Sequence, residues 1–369
     1  MTRVVLAPDS FKGTITAADA AAALAEGWAA VDPAAEFVHR PMADGGEGTV
    51  AAFEAAVPGA VRMPVVVDGP SGTRVDTSWL LLPPSEDAPA GTAVVDLGST
   101  SGIELLDELR PWDADTRGLG QAMAAALDHG VSCLVVGIGS SASTDGGTGM
   151  LTALGARFLD ASGAPVARGA RGLAEIAAVD LTGLRAAPEV RVLTDVTNPL
   201  TGPRGAAAVF GPQKGLRSAE DIALVDDGLR RLADLLGIDP AGEGNGAAGG
   251  TGAALVVWGG VLAPGAAEVA ELIGLADAIA DADIVITGEG SYDGQSGDGK
   301  VPSFLAGLAA AAGTRALLAA GRITADADTA LFTASVSLTD LAGSSDAALA
   351  DPARWLREAG AVLARAAAS

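Results

Sequence analysis

Short apolar runs alternate with longer amphipathic stretches at both ends of this chain, the pattern of an α/β fold. Arg3–Pro8 reads as a short buried strand. Thr16 then caps a helix running to about Ala30, with Asp19 three residues on as its capping-box partner. Glu36–Pro41 is a second strand, followed by a glycine-rich turn over 44–48 and a helix to about Ala56. At the other end Asp283–Thr287, Arg315–Ala320 and Ala334–Leu338 read as strands, and Pro302–Ala312, Asp326–Phe332 and Pro352–Ala367 as helices. The two ends together supply five strands alternating with helices, enough for one doubly wound, flavodoxin- or Rossmann-like parallel sheet.

The middle has a different rhythm. Val61–Val67, Arg74–Leu82 and Thr92–Leu97 are strand-like, separated by turns such as Asp68-Gly69-Pro70 and Ser71-Gly72. A helix over 116–129, a buried strand over 132–138 and a helix over 148–155 follow. Val190–Thr194 reads as a strand with Asp195 at its end, and 218–236 as a helix. The stretch 241–252 is very rich in glycine, which suits either a hinge or a ligand loop. At 369 residues the chain exceeds the usual single core. Two domains are expected: a discontinuous doubly wound domain from 1–60 with 270–369, and an inserted α/β domain over 61–269.

Composition narrows the class. Apolar residues make up 49% of the chain and aromatics only 4%, so Ala and Gly carry tight packing and disorder is excluded. A net charge of −23 argues against a nucleic-acid or anionic-membrane partner and reads as a solubility feature. A site for an anionic substrate must therefore gather its few cations locally. Cys133, the single cysteine, sits in an apolar run and reads as a buried structural thiol in a reducing compartment. His39 and His129 are isolated and suggest neither a metal site nor a triad. With no targeting segment and no apolar stretch long enough for a bilayer, a cytoplasmic protein is expected.

Charge composition also singles out three loops. Against 20 arginines there are three lysines, each beside a glycine: Lys12 in Asp9-Ser10-Phe11-Lys12-Gly13-Thr14, Lys214 in Gly211-Pro212-Gln213-Lys214-Gly215, and Lys300 in Gly297-Asp298-Gly299-Lys300-Val301-Pro302. An ammonium is a compact, mobile point charge, unlike the planar arginine fork. On a glycine loop with inward N–H groups it suits phosphate oxygens. The last loop has the Gly294…Gly299-Lys300 spacing of a P-loop, but Val301 replaces the Mg²⁺-binding hydroxyl, so it reads as a phosphate-handling loop of another design. Glu289 and Asp293 add oxygen ligands there.

Three further loops could carry chemistry. Ala43-Asp44-Gly45-Gly46-Glu47-Gly48-Thr49 opens a helix: its glycines allow close approach of an anion, and Asp44 and Glu47 suit Mg²⁺ or simply the helix dipole. Gly137–Gly149 packs five hydroxyls, one acid and five glycines into thirteen residues. Its opening Gly137-x-Gly139-x-x-Ala142 imitates a dinucleotide fingerprint, with Asp160 downstream, but Thr144–Gly147 would break the helix that should carry the pyrophosphate. Asp195, just past a strand and followed by Arg204 and Lys214, could accept a proton from a substrate hydroxyl while the cations hold a carboxylate. A turn with a local ion pair is the plainer reading.

Taken in order, Asp9–Gly13, Ala43–Thr49, Gly137–Gly149, Asp195–Leu200, Phe210–Gly215, Ala247–Gly252 and Thr287–Pro302 resemble the bacterial glycerate kinase family across nearly the whole chain. The resemblance implies ATP-dependent, Mg²⁺-assisted phosphorylation of D-glycerate, to the 2-phosphate by similarity to bacterial members, with the site in a cleft between two α/β domains. It implies Asp195, Lys300 and Lys12 as catalytic, and Ser10, Asp44, Arg204, Lys214, Ser140 and Ser141 as substrate-binding. Gly45, Gly46, Gly139, Asp145, Gly146, Gly147, Gly288 and Gly299 would cradle the nucleotide, and Asp44, Glu47 and Glu289 would place the metal. Ser140 and Thr144 depart from the Gly and Asn expected there, and Ser291 from an Arg. A kinase giving the 3-phosphate, an NAD(P)-dependent hydroxy-acid dehydrogenase and a non-catalytic sugar-acid sensor are the alternatives, and a homodimer stays open.

Overall fold

The computed structural model describes residues 1–11, 13–46, 48–294 and 300–368. The chain divides into two compact units, Met1–Asp44 with Ala51–Pro58 and Ala266–Ser369, and Gly45–Val50 with Gly59–Gly265.

The first unit is built on a five-stranded parallel sheet in the order Ala334–Ser337, Arg315–Ala320, Ile284–Thr287, Arg3–Leu6, Glu36–His39. Counted along the chain this is the flavodoxin order, reversing direction between Arg3–Leu6 and Ile284–Thr287. The central strands are continuously apolar because helices cover both faces of such a sheet. Val4, Leu6, Ile284, Ile286, Leu317 and Ala319 pack with Leu24, Trp28, Leu356 and Leu363, from the helices Ala17–Ala29 and Pro352–Ala367. Small residues let those two helices meet closely: a Cβ at Gly27 would lie 1.9 Å from the Arg357 carbonyl oxygen. Thr16 caps the first helix, accepting from the Asp19 amide at 3.1 Å and donating to its carboxylate at 2.8 Å.

Asp326–Phe332, expected as a helix, is a series of turns. Its acidic side chains satisfy backbone donors locally, Asp328 accepting from the Ala330 amide at 2.9 Å, which competes with helical bonding. The helical turns fall later, over Leu338–Ala342 and Ser345–Ala350, capped by Ser337 and Ser344.

The second unit holds a six-stranded sheet in the order Val261–Ala263, Glu189–Leu193, Cys133–Gly137, Thr92–Asp96, Arg74–Leu82, Val61–Asp68. The first four are parallel and the last two join as an antiparallel meander. The glycine-rich stretch 241–252 is packed: Ala248, Gly249 and Gly250 form a left-handed turn, and a Cβ at Gly249 would lie 2.2 Å from the Ser143 carbonyl oxygen. Among the described residues no helix is long and apolar enough to cross a membrane.

Candidate functional site

In an open α/β sheet, ligands gather beyond the carboxyl ends of the strands, where the strand order reverses. In the first unit that position is a cavity of about 480 Å³. Asp9, Ser10 and Phe11 reach it from the loop after Arg3–Leu6, and Glu289, Gly290 and Ser291 from the loop after Ile284–Thr287. Gly321 with Arg322 and Leu338 with Thr339 come from the next two strand ends, while Asp44, Asp293 and Lys300 complete the polar lining.

The floor continues the sheet past its strands. The Asp9 amide donates to the Gly288 carbonyl at 2.8 Å, Gly321 to Glu289 at 2.9 Å, Arg322 to Gly290 at 3.1 Å and Thr339 to Gly321 at 2.9 Å. Glycine is required in this floor, since a Cβ at Gly288 would sit 1.9 Å from the Ala319 carbonyl oxygen. Lys300 stands at the N-cap of the helix Val301–Ala312, with Nζ 3.6 Å from an Asp293 carboxylate oxygen. A lysine at a helix N-terminus is an anion-binding arrangement. Ser291, where the resemblance implies an arginine, receives a 3.4 Å contact from the Arg322 guanidinium, so the neighbouring strand supplies a cation at that place.

The structure thus brings Ser10, Asp44, Glu289 and Lys300 together around one cavity. Lys12, Glu47 and Gly299 lie outside the described residues. Arg322, Thr339 and the segment from Ser345 to Pro352 were not singled out from sequence. Gly321-Arg322 directly follows an expected strand, and the carboxyl-end rule could have flagged it.

The second unit accounts for most other candidates. Gly45 and Gly46 cross the ends of two strands, with the Gly139 amide donating to the Gly45 carbonyl at 3.0 Å. A Cβ on Gly45 would meet Leu193 at 2.6 Å, and one on Gly139 would meet the Gly46 Cα at 2.4 Å. The close approach these glycines permit is made by the protein's own backbone. The helix after Gly137–Ala142 begins only at Thr148, in keeping with the expected break over Thr144–Gly147 that argues against a dinucleotide fingerprint. Gly146 and Gly147 have positive φ and pack on Leu232 and Ala254.

Asp145 is fully buried and accepts from the Thr116 amide and hydroxyl at 3.0 and 2.8 Å, the Ser143 hydroxyl at 2.9 Å and the Gly147 and Gly149 amides at 3.3 and 3.1 Å. Five protein donors reach that carboxylate, which links the starts of two helices. Burial raises its pKa, and the nearby Asp115 adds to the rise.

Lys214, expected to hold a substrate carboxylate, is only 3% exposed. Its ammonium donates to the Ser141 hydroxyl and the Ser143 carbonyl, both at 2.6 Å. Burial pushes it down to about 7, with Asp145 pulling the other way. Two of its three N–H donors are thus spent on the Gly137–Gly149 loop. Ser140 holds a left-handed φ of 59°, which explains why glycine suits that position. The Thr144 hydroxyl is buried with no hydrogen-bond partner among the described residues.

Asp195 stays exposed just past Glu189–Leu193, its carboxylate oriented by the Gly265 amide at 2.9 Å. The Arg204 side chain is exposed, and its backbone carbonyl accepts from Asn198 at 2.8 Å.

The comparisons agree with this picture of two α/β units. A crystal structure of a Salmonella typhimurium LT2 protein assigned as glycerate kinase 2 superposes with a TM-score of 0.84 at 37% identity, covering 100% of this chain and 98% of that one. The glycerate kinase of Bacillus subtilis (strain 168) is 39% identical over 337 residues, 88% of this chain and 86% of its own length. The glycerate 2-kinase of Escherichia coli (strain K12) is 40% identical over 318 residues, 83% and 82% of the two chains. The glycerate kinase family model matches residues 4–368, and over that whole span the chain belongs to the glycerate kinase family.

Proposed function

We propose that this kinase transfers the γ-phosphoryl group of ATP to the 2-hydroxyl of D-glycerate, giving 2-phosphoglycerate, ADP and a proton. One observation carries the nucleotide assignment: the first-unit cavity sets Lys300, at a helix N-terminus, beside several carboxylates at the carboxyl edge of a flavodoxin-type sheet. The 2-phosphate is favoured by the printed name of the Escherichia coli relative.

Phosphoryl transfer asks for positioning and neutralisation of charge. The described lining carries four acids, Asp9, Asp44, Glu289 and Asp293, against two cations, Lys300 and Arg322. Such a surface repels a bare triphosphate, so a divalent cation fits the electrostatics. No group of three acids, histidines or cysteines among the described residues forms a ready metal cage. That donor set suits Mg²⁺, which is usually held by one or two carboxylates plus the phosphates themselves. Asp44 and Glu289 are the carboxylates assigned to it, with Glu47 from the same loop as Asp44. When bound, the ion would neutralise developing charge on the phosphates.

Lys300 and Lys12 are assigned to the phosphate oxygens, while the close approach that Gly288 allows is made by the Ala319 carbonyl. Asp195 is assigned to orient the attacking hydroxyl and take its proton. It is exposed, and one carboxylate oxygen is steered by the Gly265 amide, as a positioned base requires. Ser140 and Arg204 are assigned to the glycerate carboxylate. Lys214 is reassigned to holding the Ser141–Ser143 loop in shape.

The test is direct. Protein, ATP, Mg²⁺ and D-glycerate are incubated and the products read by ³¹P and ¹³C NMR. Phosphate on C2 is expected. Phosphate on C3 would reverse the regiochemistry, and an absence of any phosphoglycerate would overturn the ATP reading.

A further inference from the structure

The cavity of the first unit is too large for glycerate alone, and its lining changes character from one side to the other. Four adjacent strand ends contribute to it, those of Arg3–Leu6, Ile284–Thr287, Arg315–Ala320 and Ala334–Ser337. Three inter-strand steps span about 14 Å, far more than a three-carbon acid needs. Its volume of about 480 Å³ falls in the range of pockets that enclose whole cofactors.

Charge is concentrated on the side of the two central strands. Asp9, Glu289, Asp293 and Lys300 lie on the loops there or next to them in sequence, Asp44 follows the neighbouring edge strand Glu36–His39, and Arg322 follows Arg315–Ala320 on the other side. The far side is formed by Leu338, Thr339, Ser345, Ala348, Leu349 and Pro352, from the helices after the edge strand, and is mostly apolar. Leu349 is 60% exposed there, a large apolar side chain on a cavity wall otherwise held by the buried Leu338 and Ala348. A ligand matching this gradient has a polyanionic end and a flat apolar end about 14 Å apart. Inorganic phosphate, glycerate and phosphoglycerate lack the apolar end.

Building on the kinase reading above, we infer that the nucleotide lies along the carboxyl edge of the first-unit sheet, triphosphate at Lys300 and purine base against Leu338, Ala348, Leu349 and Pro352. The C-terminal segment Ser345–Pro352 is therefore the base subsite. Because its wall is mostly apolar, it recognises the base chiefly through area and shape. Leu349 is a specificity-determining contact for nucleotide over bare polyphosphate.

The experiment compares Leu349→Ser with Leu349→Met. Leu349 is exposed, so both variants should fold. ADP binding is measured by calorimetry, inorganic tripolyphosphate binding in the same way, and KM for ATP and for D-glycerate from initial rates. Leu349→Ser should weaken ADP binding and raise KM for ATP roughly tenfold, the loss expected from a partly buried leucine. Tripolyphosphate affinity and KM for D-glycerate should not move, and Leu349→Met should restore ADP binding. Unchanged ADP affinity in Leu349→Ser, with the wild type still transferring phosphate from ATP, would overturn the base subsite and leave the kinase reading standing. Equal weakening of ADP and tripolyphosphate would also overturn it, since the base would then not be what Leu349 touches. A wild type that binds tripolyphosphate but transfers nothing from ATP would overturn both.

Discussion

Replacing Lys214 by methionine should change how stability depends on pH, in a direction that can be worked out in advance. The unfolded chain holds the Lys214 proton up to the ordinary lysine value of 10.5, whereas burial in the fold lowers that value to about 7. Between those limits the unfolded state binds more protons than the folded state, so stability rises with pH across the window. The cost of the buried ammonium is present in full below about pH 7 and disappears above 10.5. The gap between the two values corresponds to about 5 kcal/mol. That figure is a ceiling, because the hydrogen bonds to the Ser141 hydroxyl and the Ser143 carbonyl favour the charged form. Lys214→Met also leaves those two acceptors unpaired, but that cost does not depend on pH and drops out of the slope. Urea denaturation of both proteins at half-unit steps from pH 7 to 10.5 gives the difference. Wild type should gain on the variant by up to about 5 kcal/mol over that window. With only two other lysines in the chain, and both proteins compared at each pH, little else titrates differently. Parallel curves would refute the reasoning and mean that Lys214 keeps its proton in the fold as it does in water.

Four shorter predictions follow from the same geometry. Thr144→Val removes a buried hydroxyl that lacks a partner among the described residues, and should raise stability by about 1–2 kcal/mol in thermal melts, where a loss would indicate a bound water. Gly27→Ala drives a methyl group to 1.9 Å from the Arg357 carbonyl oxygen and should cost about 3 kcal/mol, read as a fall in the first unit's melting temperature. Lys300→Arg keeps the charge but swaps a compact ammonium for a planar fork, and should lower kcat at least roughly tenfold with unchanged circular dichroism. Asp195→Asn retains the oxygen that accepts from Gly265 but cannot take a proton. It should lower kcat by roughly 10²-fold and leave ADP affinity unchanged, whereas normal turnover would move the base elsewhere.

Much of this protein is legible in local sequence. Arg315–Ala320 and Pro352–Ala367 lie where their apolar spacing puts them, and Thr16 caps its helix as the Thr-x-x-Asp pattern requires. These features depend on residues within one or two turns of each other. The same locality explains the error at Asp326–Phe332, where aspartates bonding their own backbone outweigh helix periodicity. The family motifs single out loops, but not what each residue in them touches. Lys214 and Lys300 look alike in sequence, each a lysine beside a glycine. One turns into the core onto Ser141 and Ser143, and the other stands at a cavity rim beside Asp293. Likewise Gly139 reads as room for a phosphate until residues 45–46, nearly a hundred positions away, are found filling that room. Composition and periodicity determine which segments are strands, helices and loops, because those choices are made by short-range backbone and solvation energies. Which loops share a strand edge, which cation is desolvated and which faces a ligand are decided by pairings between residues far apart in the chain, and those exist only once the sheets have formed.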